Sequence, residues 1–224
     1  MSNVLPPWPQ PPVLEIPPAP GSRRDWLAES WKQRYKRLHL QLLDIAGRLA
    51  NESGYEGTQI SGIVREACVS KRTFYEHFTS KDDCFAHLIR NARSVIIEAM
   101  ITASEDALPR GPFPTFYGML DAWKRHLATR PHLYEAMRNS HKEALDAEQR
   151  AGIAQMAEVV AVAAMRLGSS DPLAELRKSS HFFTWGAFAL LTPTLARGET
   201  FGEDISVMAT AMCRGFGLDA NVPV

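Results

Sequence analysis

Residues 58–85 read TQISGIVREACVSKRTFYEHFTSKDDCF, and the reading of this stretch decides the fold. Thr58 is the expected N-cap of a short helix whose inner face is Ile60, Ile63, Val64 and Ala67. Cys68–Val69 makes a tight turn. Ser70 then caps a second short helix that carries Phe74 and Phe78 on one side. Ser80-Lys81-Asp82-Asp83 has the form of a capping box, and it opens a longer helix running to about Ser104.

Working outward from this stretch, Leu38, Leu42, Ile45, Ala46 and Leu49 recur at helical spacing. They predict a helix over about 34–51 that ends at Asn51–Gly54. Its apolar face packs against Ile60, Ile63, Phe74 and Phe78. Lys71, Arg72, Thr73, Tyr75 and His77 are left on the outer side of the second short helix. Cations and hydroxyls at the start of a short helix suit the major groove of DNA. An arginine can pair bidentately with guanine, and a threonine methyl can pack on thymine. The helix starts near Thr58 and Lys81 offer backbone amides to phosphates.

This segment, roughly Arg34 to Leu88, resembles the helix-turn-helix of the tetracycline-repressor (TetR) family of transcriptional regulators. The residues that carry the resemblance are Thr58, Ile60, Ile63, Val69-Ser70, Thr73-Phe74-Tyr75-Glu76-His77-Phe78 and Ser80-Lys81-Asp82. Two positions depart from the family pattern. Cys68 stands where the turn usually has glycine, and Val64 where a small alanine is usual. The resemblance implies that Lys71, Arg72 and Thr73, following Ser70, read bases or adjacent phosphates. It implies that Thr58, Tyr75, His77 and Lys81 hold the backbone of double-stranded DNA.

Charge supports a division of labour. The chain of 224 residues has 25 Lys+Arg and 25 Asp+Glu, a net charge of zero, which excludes a uniformly basic DNA coat. Residues 23–93 sum to +4, residues 94–224 to −3 and residues 1–22 to −1. Arg23, Arg24, Lys32, Arg34, Lys36 and Arg37 cluster ahead of the first apolar helix. They read either as a flanking arm for DNA or as a solvated helix face.

The remaining chain reads as helix throughout, so the fold class is all-α. A Pro-rich tail over 1–22 is expected to be disordered, with Trp8, Val13 and Ile16 able to dock it. A DNA-binding domain over 23–88 and a helical bundle over 89–224 follow. Asp106 to Thr115, with Pro109, Gly111, Pro112 and Pro114, is expected to be a loop. Helices follow over about 116–129, 131–141 and 146–167. Gly168 ends the last of these, and Asp171–Pro172 supplies a cap and an N1 proline for the next. The final pair spans about 173–196 and 203–214.

By the family resemblance, the carboxy-terminal bundle encloses a small-molecule effector, and its last two long helices form a homodimer on a palindromic operator. Apolar and aromatic side chains give the candidate effector contacts: Phe116, Met119, Leu120, Trp123, Leu127, Tyr134, Met137, Met156 and Val160. Phe182 and Trp185 extend that set, and His126 is its polar anchor. The same residues also read as ordinary core. The same resemblance implies that effector binding favours a dimer geometry that no longer fits the operator, and that the regulator is a repressor.

Other classes find less support. The sequence has no HExxH, GxSxG, Walker A or GxGxxG motif, so neither catalysis, a metal nor a cofactor is expected. Ser179 to Ala196 lacks formal charge, but its polar residues and Pro193 make it a poor membrane span. Cys68, Cys84 and Cys213 show no CxxC spacing, and with no signal peptide a cytoplasmic location is expected. Two regulatory alternatives stay open: a dimeric DNA-binding regulator without an effector, and a thiol-responsive regulator using Cys68.

Overall fold

Gly and Pro punctuation sets the helix ends in the computed structural model, which describes residues 25–138, 143–199 and 203–220. Side chains at 25–30, 135–138 and 144 and the tail over 1–22 lie outside that description. Among the described residues every regular element is helical. In chain order the helices are α1 (Asp25–Gly57), α2 (Ile60–Glu66), α3 (Lys71–His77), α4 (Lys81–Ala107) and α5 (Pro112–Leu127). They continue with α6 (Pro131–Arg138), α7 (Glu143–Arg166), α8 (Leu173–Ala196) and α9 (Glu203–Gly215). No described helix is long and apolar enough to cross a membrane.

Several ends differ from the sequence reading for local reasons. The first helix breaks at Gly54, the last residue of the expected end at Asn51–Gly54, where a φ of 73° lies in the left-handed region, and a further short turn carries α1 on to Gly57. Thr58 is not the N-cap of α2, because its hydroxyl donates back to the Gly54 carbonyl at 2.9 Å. Gln59 holds the N-cap position without a side-chain bond. The expected loop over 106–115 is mostly helical. Leu108–Arg110 forms a 3₁₀ turn, and Pro112 and Pro114 sit in the first turn of α5, where a missing N–H costs nothing. Pro172 takes the N-cap of α8, not N1.

The described chain forms two compact units. The first contains residues up to Asn91 together with 132–148, so it takes in α6 and the first turns of α7. The second contains 92–131 and 149 onward. The division therefore falls inside α4, three residues past the expected boundary at 88, and the first unit also claims residues the sequence reading gave to the second. The core of the first unit shows why. Leu133 and Leu145 are buried in one cluster with Leu42, Ile63, Phe74, Phe78 and Phe85. Asn51 accepts from the Leu133 amide at 3.2 Å, and Arg90 pairs with Glu148 at 2.6 Å.

The second unit is built around α7. Val159 to Ala164 are all buried, so this length of helix is enclosed on every side. Phe116, Met119, Trp123, Leu176, Leu191, Ile205 and Met212 complete the core. Gly215 is needed for a close approach: a Cβ there would stand 2.7 Å from the Phe183 ring.

Candidate nucleic-acid interface

The helix α3 is short, and its cap and core hold it. The Ser70 hydroxyl accepts from the Thr73 amide at 3.0 Å, which satisfies a donor that a helix start leaves open. Phe74 and Phe78 are 0% and 1% exposed and anchor one side. The other side carries Lys71, Arg72 and Tyr75, all exposed, with Tyr75 at 55%. A tyrosine this bare, beside two cations, gives α3 a face suited to a polyanion. Arg72 has a side chain that is 90% exposed, and its Nε lies 3.3 Å from the Glu76 carboxylate. Pairing with a base would exchange that weak surface contact for a bidentate one.

The preceding turn is left-handed at the position where the sequence departs from glycine. Cys68 has φ 55°, the one positive φ outside glycine among the described residues. The turn is nonetheless closed, since the Val69 amide donates to the Val64 carbonyl at 3.0 Å. Ser80 and Asp83 form the expected box at the start of α4. The Asp83 amide donates to the Ser80 hydroxyl at 3.0 Å, and the Asp83 carboxylate accepts from the Thr79 amide at 2.8 Å.

Three residues expected to hold phosphates are committed elsewhere. Thr58 is 1% exposed. His77 is 4% exposed and stacks on Tyr35, with ring centroids 3.9 Å apart. Lys81 Nζ donates to the Tyr55 and Thr58 carbonyls at 3.0 and 3.3 Å, closing the end of α1. It also sits over the Tyr55 ring at 4.1 Å. The Tyr55 hydroxyl bonds the Asp82 carboxylate; burial first, then that bond, hold the phenol well above its ordinary range. Spacing alone could not separate these roles, because α2 and α3 are too short for a clear exposed stripe.

The cluster ahead of α3 gains structural support. Lys32, Arg34, Lys36 and Arg37 are exposed on α1. Between Lys32 and Arg37, Tyr35 donates its hydroxyl to the Glu76 carbonyl at 2.7 Å, tying this turn to the end of α3.

In the second unit, a cavity of about 10 Å³ is lined by Met100, Met119, Leu120, Trp123, Val160, Phe183, Thr184, Ala187 and Met212. That is room for about one water. Trp123 Nε1 is buried and has no hydrogen-bond partner among the described residues. Of the candidate effector residues, Met119, Leu120, Trp123 and Val160 line this space. Phe116 and Met156 are buried outside its lining, and Phe116 packs on Phe216. His126 is half-buried, and burial, then Arg130, hold its pKa low. Tyr134 packs against the core of the first unit, so it is not brought to this cavity. Phe182 points away from it, at 76% exposed. Trp185 is half-buried and donates to the His181 ring at 2.9 Å. The Met137 side chain lies outside the described ones. The sequence reading missed Met100, Phe183, Thr184, Ala187 and Met212. Phe183, one residue and about 100° of helix turn from Phe182, is the side chain that lines the cavity.

Phe182, Gly186, Ala189 and Leu190 on α8 are exposed, as are Val207 and Ala211 on α9. Each set follows helical spacing, so each helix bares an apolar stripe. No three His, Cys, Asp or Glu side chains among the described residues converge to hold a metal ion.

Comparison with known proteins gives three kinds of likeness. Residues 42–88 match the family model of bacterial regulatory proteins, tetR family. A fatty acid metabolism regulator protein of Bacillus subtilis (strain 168) is 32% identical over 62 residues, which is 28% of this chain. The match spans about a third of that relative's length. Among solved structures, a TetR-like transcriptional regulator from Rhodococcus sp. RHA1 has a TM-score of 0.62 at 18% identity, covering 80% of this chain and 96% of that one. The fatty acid degradation regulator FadR of Bacillus halodurans has a TM-score of 0.63 at 15% identity, covering 80% and 93%. FadR of Bacillus subtilis, solved in complex with stearoyl-CoA, has a TM-score of 0.56 at 16% identity, covering 80% and 97%. At such identities the structures show a common fold.

Proposed function

We propose that the chain is a transcriptional regulator of the tetR family, whose model its residues 42–88 match, and that it is a homodimeric repressor released from a palindromic operator by a long-chain acyl effector. The observation that carries the DNA-binding half is the face of α3. Lys71, Arg72 and Tyr75 stand exposed on a helix capped by Ser70 and anchored by Phe74. Arg72 is assigned to a base edge, and Lys71 and Tyr75 to the backbone beside it. The exposed cations of α1 add backbone contacts and with them salt dependence.

The dimer reading rests on the bare apolar stripes of α8 and α9. A face carrying Phe182, Leu190 and Val207 in water is stabilised by burial against a second copy of itself. A two-fold dimer presents two α3 helices to half-sites about 34–36 Å apart.

The acyl effector is supported by the relatives' names and by the cavity's chemistry. Apolar and thioether side chains surround a space that Met100, Met119 and Met212 can enlarge by changing rotamer. The unpartnered Trp123 Nε1 is a donor for a thioester or carboxyl oxygen. Genomic fragments selected by the purified protein would supply the operator. Stearoyl-CoA, free stearate and CoA are then titrated against that complex. Release by stearoyl-CoA or stearate but not by CoA is expected. Operator binding indifferent to all of them would end the acyl reading and leave the DNA-binding one standing.

A further inference from the structure

Three histidines meet behind α3. His39 of α1 is 0% exposed and His77 of α3 is 4% exposed, and their Nδ1 atoms lie 3.4 Å apart. His87 of α4, with a side chain 12% exposed, places its ring 5.2 Å from that of His39. Phe78 packs against the His39 and His87 rings at 4.5 and 5.6 Å, and Tyr35 covers His77. The cluster thus joins α1, α3 and α4 behind the exposed face of α3.

We propose that His39, His77 and His87 form a proton-sensitive latch that holds α3 in place, so that mild acid loosens this helix with no effector bound. With Nδ1 facing Nδ1, one ring donates and the other accepts, so the pair holds a single proton between those nitrogens. A second proton there would set donor against donor. His39 Nε2 also has no partner among the described residues, so a charge on that ring meets neither solvent nor an acceptor.

The surrounding charges do little to offset this. From α3, Glu76 favours the charged form of His77. From α4, Asp83 favours that of His39, while its Oδ1 lies 3.6 Å from His87 Nε2 and its Oδ2 accepts from Thr79. Tyr35 of α1 is a neutral phenol, held above its ordinary range first by burial and then by Glu76. Cys84 of α4 is kept protonated by burial, then by Asp83. Arg65 and Glu66 of α2, like Lys36 of α1 and Arg72 of α3, are exposed to solvent. Arg90 of α4 is paired with Glu148 of α7. Burial, then His87 and His77, push His39 down to about 4 from its ordinary 6.5. Burial pushes His77 down as well.

The sign follows from linkage. Both rings bind protons more weakly when α3 is seated than when it is released. The latch is therefore complete above pH 6.5 and weakens as pH falls from there toward 4. Between pH 7.5 and 5.5, His39 alone raises the open fraction of α3 about tenfold.

The test is amide hydrogen exchange of the full chain at pH 7.5 and 5.5, corrected for intrinsic rates, with operator affinity measured alongside at constant ionic strength. The expected result is about a tenfold loss of protection over 71–77, not shared by α9. The His39→Phe variant should keep its protection at both pH values. Imidazole titration of the wild-type protein by NMR is a second readout that needs no variant, and it should find His39 far below 6.5. Equal protection of α3 at both pH values, or titration of His39 near 6.5, overturns the proposal. The latch bears on regulation only if α3 reads DNA. If exchange responds to acid while the protein binds no operator at any pH, the latch stands and the DNA reading fails.

Discussion

The outer faces of α3 and α8 are both exposed, yet they are opposite in kind. On α3 the bare side chains are Lys71, Arg72 and Tyr75, over a buried Phe74. On α8 they are Phe182, Ala189 and Leu190, over a buried Thr184 and Ala187. A cationic face remains soluble while it waits for a polyanion, because water solvates it well. An apolar face of this size is costly in water and calls for permanent cover. Under the proposed function, α3 would associate reversibly and with salt dependence, and α8 constitutively.

The strongest way to break this contrast is Phe74→Ala. Removing a fully buried ring should cost about 3–5 kcal/mol and unseat α3. Operator binding should vanish while the protein stays dimeric by sedimentation; a monomer would show that the two faces are not separable. Phe182→Glu attacks the other side. It appears twice in a two-fold interface and should weaken the dimer by about 2–4 kcal/mol, read as dissociation on dilution. A dimer as tight as wild type would remove Phe182 from the interface.

Arg72→Ala is the next largest, at about 1–3 kcal/mol of operator discrimination, with the dimer intact. Equal weakening on specific and random DNA would reassign Arg72 to the backbone. Ser70→Ala should lower thermal stability by about 1 kcal/mol through the lost cap bond to Thr73. The smallest effect is a gain. Cys68→Gly relieves a left-handed residue and should stabilise the turn by about 0.5–1 kcal/mol in denaturant unfolding. A loss there would mean that the Cβ of Cys68 contributes packing the turn needs.

Residue spacing along the whole chain determined the all-helical fold, and Thr58–Phe85 determined the paired short helices, the Ser70 cap and the exposure of Lys71, Arg72 and Tyr75. These follow from contacts a few residues apart: apolar spacing, hydroxyl caps and a two-residue turn. Tertiary structure decided the rest. His77 belongs to the interior because His39, thirty-eight residues away, faces it. Lys81 closes the end of α1 because the Tyr55 and Thr58 carbonyls lie within its reach. Leu133 and Leu145 join the first unit because its core has apolar surface to cover. Phe182 and Phe183 are adjacent and chemically identical, and packing against Gly215 and Phe216 covers Phe183 while Phe182 stays exposed. Local sequence fixes backbone hydrogen bonding and the polarity of each face. Which polar group is desolvated depends on what another segment brings to it.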